Sequence, residues 1–370
     1  MRILSRDFLT RIIEIGRAYR SANLCKNELK AKQTIYPYNK TSKPYRQTIS
    51  NFFGGGKSVQ WSEFYNHFRP MNDDKYNCHY IPDNIYYGII DIFYNDYTKC
   101  LAVDDKNLYD FYFKDIRIPK TILRKSNDVL MDEGYNIINI KQITDIISQV
   151  EHGVIIKKST ISEGGKNIHI WTPKDTIDNL IGILNNYTDC VVQNLIEQHE
   201  SLSYLHKDSV NTIRIITWNR KNQIIPLSSI VRMGVNGSKV DNASSGGIFC
   251  GINEDGSLKD TAYNTRGESF VRHPQGAEFK GHRIPNFDKC LKLVTSLAPR
   301  FSAFSRLTSW DITLDKDGEP TIIEANLAYG ELDFHQIANG PLFGAYTEEM
   351  LNEVFSSKKN RILRTILNRL

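Results

Sequence analysis

The segment spanning residues 308–326, TSWDITLDKDGEPTIIEAN, constrains the fold of this chain more than any other stretch. Asp317-Gly318 signals a two-residue type I′ turn, because both central positions need a positive φ that Asp and Gly tolerate. With those residues at the tip, Lys316 faces Glu319, and the same register carries outward to set Asp311 opposite Glu324. Alternation along the strands puts Trp310, Ile312, Leu314, Ile323 and Ala325 on one face, and Asp311, Thr313, Glu324 and Asn326 on the other. Pro320 falls in a non-hydrogen-bonded pair, where its missing N–H costs the ladder nothing. A solvated hairpin with scattered surface acids is the plainer alternative, and the apolar opposite face argues against it.

Facing carboxylates have Cβ atoms about 4.5–5.5 Å apart, and like charges there destabilise a hairpin. Protonating one gives an acid/base dyad. Placing a divalent cation between them is the other remedy, and Asn326 favours it by adding a third hard oxygen on the same face. Oxygen-only ligands suit Mg²⁺ or Mn²⁺, with phosphate oxygens completing the shell.

Charge placement narrows the function classes. The first 32 residues hold eight Lys/Arg against three acids, and residues 358–370 hold five more and no acid, so a net +5 for the whole chain leaves −5 in between. A nucleic-acid binder more often spreads cations over its body, and that class is set aside. Six separated cysteines without a Cys-x-x-Cys pair, and no secretory signal, read as reduced thiols in a cytoplasmic protein. No apolar run approaches the roughly 18–20 residues of a membrane span.

Residues 7–24 place Phe8, Ile12, Ile15 and Tyr19 at helical spacing, and Ile362, Leu363, Ile366, Leu367 and Leu370 do the same at the C-terminus. Both ends are therefore expected to be basic amphipathic helices, docked on the body or resting on anionic lipid at the inner face of the cytoplasmic membrane. Residues 34–60 read as a connecting segment, and Tyr86 to Ile92 as a strand. From Val154 onward the chain is β-rich, interrupted by helices near 174–185 and 286–300. The class is α+β with antiparallel hairpins carrying the chemistry.

Asp-x12-Glu-x-Asn across such a hairpin resembles the metal-binding signature of ATP-grasp ligases, whose D-alanine–D-alanine ligase members carry a comparable Leu-Glu-Ala-Asn. Within that superfamily the chain is similar to the sugar-transfer-associated ATP-grasp family of polysaccharide gene clusters. The matching segments are Ser209 to Arg214, Asp241-Asn242 with Gly246-Gly247, His273-Pro274-x-Gly276 with Gly281, and Trp310-Asp311 through Glu324-Ala325-Asn326, all within residues 100–345. The resemblance implies an ATP-grasp fold, two α+β subdomains clamping ATP. On that reading residues 1–33 form a helix and 34–115 a mixed α/β region. Residues 116–200 form the nucleotide-binding subdomain, 201–350 the metal and acceptor subdomain, and 351–370 a helix.

The loop after the strand Val154 to Lys158 contains Gly164 and Gly165, whose N–H groups suit phosphate. By the resemblance Lys157 contacts phosphate, with Lys158 where proline is usual, and Lys106 matches a second phosphate-contacting lysine. Gln193 faces the adenine amino group, and the backbones of Asn194 and Ile196 make the other adenine contacts. Asn211 stands where relatives put a ribose-binding glutamate, with Glu200 as its rival. Some ligases carry an arginine where this chain has Ser309, so Arg232 or Arg214 is expected to supply the catalytic positive charge.

Acceptor residues are expected in the two segments flanking the hairpin: Arg266, Arg272, His273, His282 and Arg283 in one, Tyr329, Glu331, Asp333 and His335 in the other. The resemblance implies an ATP-dependent carboxylate–amine ligase that joins an acidic sugar to an amino acid or amine in capsule or O-antigen synthesis. A sugar kinase-like enzyme and a non-catalytic ATP-binding component of a sugar-transfer complex are the alternatives.

Overall fold

A computed structural model of the chain describes residues 6–35, 41–68, 78–160 and 168–369; Gly164 and Gly165 lie outside them. Helix α1 (Arg6–Ile35) is longer than its apolar spacing suggests and uses a different face. The stripe of Ile12, Ile15 and Tyr19 is about half exposed, while Ala18, Ala22, Cys25 and Leu29 are buried. Both sets recur at three- and four-residue intervals, so spacing alone cannot choose between them. The small set wins because it lets the helix axis approach the body closely. The Phe8 side chain lies outside the described set.

The expected connecting segment is largely helical where it is described, with residues 36–40 outside the described set, and the expected strand is helical too. Helices α2 (Lys43–Phe53) and α3 (Lys57–Phe68) are separated by Gly54, Gly55 and Gly56, all at positive φ. Pro44 in the first turn and the Ser42 cap begin α2, and left-handed Gly54 ends it. A side-chain carbon on Gly56 would collide with the Asn368 carbonyl, because the C-terminal helix (Lys358–Leu367) docks on this corner. Tyr86 to Ile90 forms a π-helical turn between Asp83–Ile85 and Asp91–Tyr94. Four of its five residues are buried, and periodicity cannot distinguish such a helix from a buried strand.

Two antiparallel sheets follow. The first joins β1 (Thr121–Ser126), β2 (Val129–Asp132), β3 (Val154–Lys158), β4 (His169–Trp171) and β5 (Cys190–Asn194) in the order β2-β1-β5-β3-β4. Helices Ile140–Ile147 and Ile177–Asn185 bury Ile143, Ile147, Leu180 and Leu184 against Leu123, Val154, Ile156 and Val192.

The second sheet comprises β6 (Thr212–Arg220), β7 (Gln223–Met233), β8 (Ile248–Ile252), β9 (Leu258–Tyr263), β10 (Ser269–Phe270), β11 (Leu307–Leu314) and β12 (Pro320–Asn326). Its order is β10-β9-β8-β7-β6-β11-β12. Helix Phe287–Leu297 covers one face through Cys290, Val294 and Leu297. On the other face, Ile337 and Ala338 of helix Leu332–Asn339 pack with Trp61 and Phe64 of α3 against Ile230 and Phe249. The ends of β3 and β5 in the first sheet face β6, β7, β11 and β12 of the second across a cavity of about 800 Å³.

Candidate functional site

The β11–β12 hairpin sets Asp311 opposite Glu324, by a route other than the expected one. The turn is one residue longer: Asp315 N–H donates to the Glu319 carbonyl at 3.0 Å, and Gly318 takes φ +77°. The Asp315 carboxylate accepts from the Asp317 and Glu319 N–H groups and fixes this turn. Leu314 then pairs with Pro320 and Ile312 with Ile322, one step out of the expected register. A bulge between Asp311 and Ile312 absorbs Ile323 and restores the pairing. Ile323 thereby leaves the core face assigned to it and lines the cavity instead.

Protein cations hold both carboxylates. Arg214 forks onto Asp311, with Nε–Oδ1 and Nη2–Oδ2 both at 2.6 Å, and also pairs with Glu331. Arg232 reaches Asp311 at 3.5 Å and pairs with Asp241. The two arginines expected to replace the one missing at Ser309 therefore both converge on the hairpin. Burial tends to raise the Asp311 carboxyl, but Arg214 and then Arg232 hold it below the usual carboxylate range. Glu324 is likewise lowered against burial by Lys106, whose Nζ lies 2.7 Å from its carboxylate.

Lys157 stands across the cavity and makes no ion pair among the described residues. Burial, and then the charge of Lys106, pull its ammonium down to about 8. The result is a partly desolvated cation beside an open volume, an arrangement that an anion would stabilise.

The donor set fits a hard cation. Asp311, Glu324 and Asn326 offer oxygens along one strand pair, and the Asn326 Nδ2 is buried without a partner among the described residues. Turning that amide over exchanges the stranded donor for an acceptor.

Gln193, Asn194 and Ile196 all line the first-sheet wall, beside Ile155, Ile168 and Ile170. The Gln193 amide donates to the Pro119 carbonyl at 3.3 Å. The Asn194 backbone N–H is taken by the Lys120 carbonyl, while its side-chain Oδ1 is buried without a partner among the described residues. Asn211 and Glu200 stand elsewhere. Asn211 Nδ2 donates to the Leu202 and His206 carbonyls at 2.8 and 2.7 Å, so the side chain braces the loop before β6. Glu200 is exposed in the first turn of Glu200–Leu205. Glu197 and Gln198, which no sequence motif singles out, line the cavity, as does Asp241 of the matching Asp241-Asn242 segment. Asp241 also fixes the start of β6 by accepting from the Thr212 N–H at 3.0 Å.

The expected acceptor residues are divided. Tyr329 and Glu331 line the cavity. Arg266 is exposed, Arg272 pairs at the surface with Glu278, and Arg283 binds the Asp255 carbonyl. His273 is buried with Nε2 on the Gly234 carbonyl and Nδ1 accepting from Gln275 N–H, so its ring is a structural brace. His282 stacks on Tyr204. Asp333 is bound to Lys32 of α1 at 2.9 Å, in a separate buried cluster. His335 is buried, donates to or accepts from Ser228 Oγ, and is pushed down to about 3 by burial and by Arg214, so its imidazole is neutral.

Residues 177–349 match the family model described as sugar-transfer associated ATP-grasp. No curated protein matches the chain in sequence. Among solved structures it is similar to the biotin carboxylase domain of the Hydrogenobacter thermophilus 2-oxoglutarate carboxylase, in complex with MgADP, ADP and bicarbonate. That match has 13% identity and a TM-score of 0.44, covering 72% of this chain and 49% of that one. An L-amino acid ligase from Bacillus licheniformis matches at 14% identity and TM-score 0.41, covering 70% and 50%. The D-cycloserine synthetase DcsG matches at 12% and 0.40, covering 68% and 71%. The chain spans about half the length of the first two.

Proposed function

We propose, from the match of residues 177–349 to the sugar-transfer associated ATP-grasp family model, that the chain is an ATP-dependent carboxylate–amine ligase. The observation that carries this reading is the cavity between the two sheets. It sets Lys157 and the Gln193–Ile196 wall on one side, and Asp311 and Glu324, with Arg214 and Lys106 already in place, on the other. Phosphoryl transfer needs positioning and charge stabilisation more than covalent help, and the cavity offers fixed cations in a partly desolvated volume.

In the proposed reaction a substrate carboxylate oxygen attacks the γ-phosphorus of ATP, and the bond to the β,γ-bridging oxygen breaks to release ADP. An amine then attacks the acyl carbon of the resulting acylphosphate, phosphate leaves, and the nitrogen loses a proton. Lys157 and Lys106 bind phosphate oxygens, and Arg214 and Arg232 balance charge at the transferring group. Asp311, Glu324 and Asn326 would hold Mg²⁺ or Mn²⁺, which supplies further neutralisation of phosphate charge when bound. The acid is proposed to be a uronic-acid sugar of a capsule or O-antigen, and the amine an amino acid or amino compound.

A coupled ADP-release screen of uronic acids against amino acids, with mass spectrometry of the products, tests this reading. ADP release should require both substrates and yield an amide. Asp311→Asn/Glu324→Gln should lower the rate at least about a hundredfold. Full ADP production by that variant sinks the metal assignment, and release independent of the amine points to a sugar kinase.

We also propose peripheral contact with anionic membrane. No described helix is long and apolar enough to cross a bilayer. Ile12, Ile13, Ile15 and Tyr19 of α1 and Ile362 and Ile366 of the C-terminal helix are nonetheless exposed among basic residues. Replacing these six by serine should reduce sedimentation with phosphatidylglycerol vesicles severalfold; undiminished binding refutes the contact.

A further inference from the structure

A second cavity, about 370 Å³, opens beside the edge strand β12 and shares Glu324, Asn326 and Tyr329 with the first. Its volume lies within the roughly 300–1,000 Å³ typical of small-molecule sites. Arg17 of α1 contributes one wall, Tyr97 and Tyr329 another, Leu101, Leu327 and Ala328 supply apolar surface, and Asp104 adds a carboxylate to the lining beside Glu324.

The aromatic pair is rigidly held. The Tyr97 and Tyr329 ring centroids lie 4.5 Å apart. One buried carboxylate, Asp91, accepts from the Tyr97 hydroxyl, from the Tyr329 N–H at 2.9 Å and from Asn95 Nδ2 at 2.7 Å. Tyr329 is kept in the left-handed region at φ +57°, a conformation a tyrosine adopts only where its surroundings impose it. The Arg17 guanidinium lies 5.4 Å from the Tyr97 ring centroid and makes no ion pair among the described residues.

We propose that this cavity is the subsite of the carboxylate-bearing substrate, a sugar-sized ring lying on the Tyr97–Tyr329 pair with its anionic group bound by Arg17. The assignment rests on the ligase reading and adds to it the place and the chemistry of the acid. An aromatic face offers the C–H side of a pyranose an apolar platform, and a half-buried guanidinium without an ion-pair partner among the described residues offers a carboxylate two parallel donors. Glu324 and Asn326 line both cavities, so this site adjoins the one proposed for the nucleotide phosphates, as transfer to a carboxylate requires. The anion-binding charge thus comes from the N-terminal helix, outside residues 177–349, and not from Arg266, Arg272 or Arg283.

Calorimetric titration of the full chain, saturated with Mg²⁺ and a non-hydrolysable ATP analogue, tests the proposal. The probes are glucuronate, galacturonate, glucose and glucose 6-phosphate. At least one uronate should bind about tenfold or more tightly than glucose, and Arg17→Ala should remove that margin. Arg17→Lys should restore part of it, and Lys26→Ala, which removes the same charge from the same helix, should leave it intact. Wild-type protein that shows no uronate preference, an Arg17→Ala variant that keeps it, or an Arg17-dependent preference for glucose 6-phosphate alone overturns the proposal. Affinity for the ATP analogue, measured separately, should be the same in wild type and Arg17→Ala. Failure of the wild type to bind the analogue counts against the ligase reading and leaves the uronate comparison as a separate result.

Discussion

Lys157→Met should abolish ATP-dependent turnover and at the same time stabilise the fold. The ammonium is buried, lacks an ion-pair partner among the described residues and is depressed to about 8 from an ordinary 10.5. The unfolded chain therefore holds this proton more tightly than the folded one. Protonation costs folding stability throughout the range below about 8, and the cost is relieved as pH rises from there toward the unfolded value. At pH 7 the methionine removes it, a gain of roughly 1–3 kcal/mol, because each tenfold loss of proton affinity is worth about 1.4 kcal/mol. Urea melts should show the variant more stable at pH 7, and the gap should close between about pH 8 and 10. Nucleotide binding has the opposite demand, since an anionic phosphate needs the charged form. Wild-type affinity for ATP should thus weaken above about pH 8, and the variant should show weak affinity without that inflection. A variant that loses stability at pH 7, or that turns over normally, contradicts the role given to Lys157.

What can be read from the sequence depends on whether the information is local. The carboxylate pair is legible because a turn signal and strand alternation act within nineteen residues, 308–326. Even there, the longer turn and the Ile323 bulge cancel by coincidence of geometry, and the pairings of Asp311 with Glu324, Trp310 with Ala325 and Ser309 with Asn326 survive both. The first-sheet wall is reached through Lys157, Gln193, Asn194 and Ile196, which lie on two neighbouring strands and the linker after them. Asn211 is misplaced by sequence reasoning because type and position do not reveal that its amide is consumed by the Leu202 and His206 carbonyls.

Arg17 and Tyr97 are out of reach for a different reason. Each approaches Tyr329 across more than 200 residues of chain, and no periodicity encodes such a meeting. The helical stripe on α1 misleads because spacing groups residues onto one face without telling which face meets the body. Tyr86 to Ile90 misleads because a segment buried on nearly every side has no amphipathic pattern to read.

Glu324→Gln should destabilise the protein strongly, and adding Lys106→Met should recover most of the loss without recovering activity. In the wild type Glu324 is the partner of Lys106 at 2.7 Å and also offsets Lys157, two buried cations that otherwise repel each other. Removing one member of a buried pair strands its partner at a cost of about 3–5 kcal/mol, whereas replacing both by groups of similar volume is often neutral. Two further measurements separate this from a general packing defect. Glu324 is lowered in the folded state, so its stabilising contribution is present above its ordinary, unfolded value of 4.5 and is lost as pH falls below that. The single variant should therefore lack that part of the acid-induced loss of stability seen in the wild type. Lys157→Met placed on Glu324→Gln should also stabilise more than it does on the wild type, because the counter-charge that tempers Lys157 is gone. Equal gains in the two backgrounds, or a double variant with Lys106→Met as unstable as Glu324→Gln alone, show that the carboxylate does not hold these lysines together. If both expectations hold, the resting site is a set of cations parked on two carboxylates, and ATP with its metal ion enters by exchanging partners within that set.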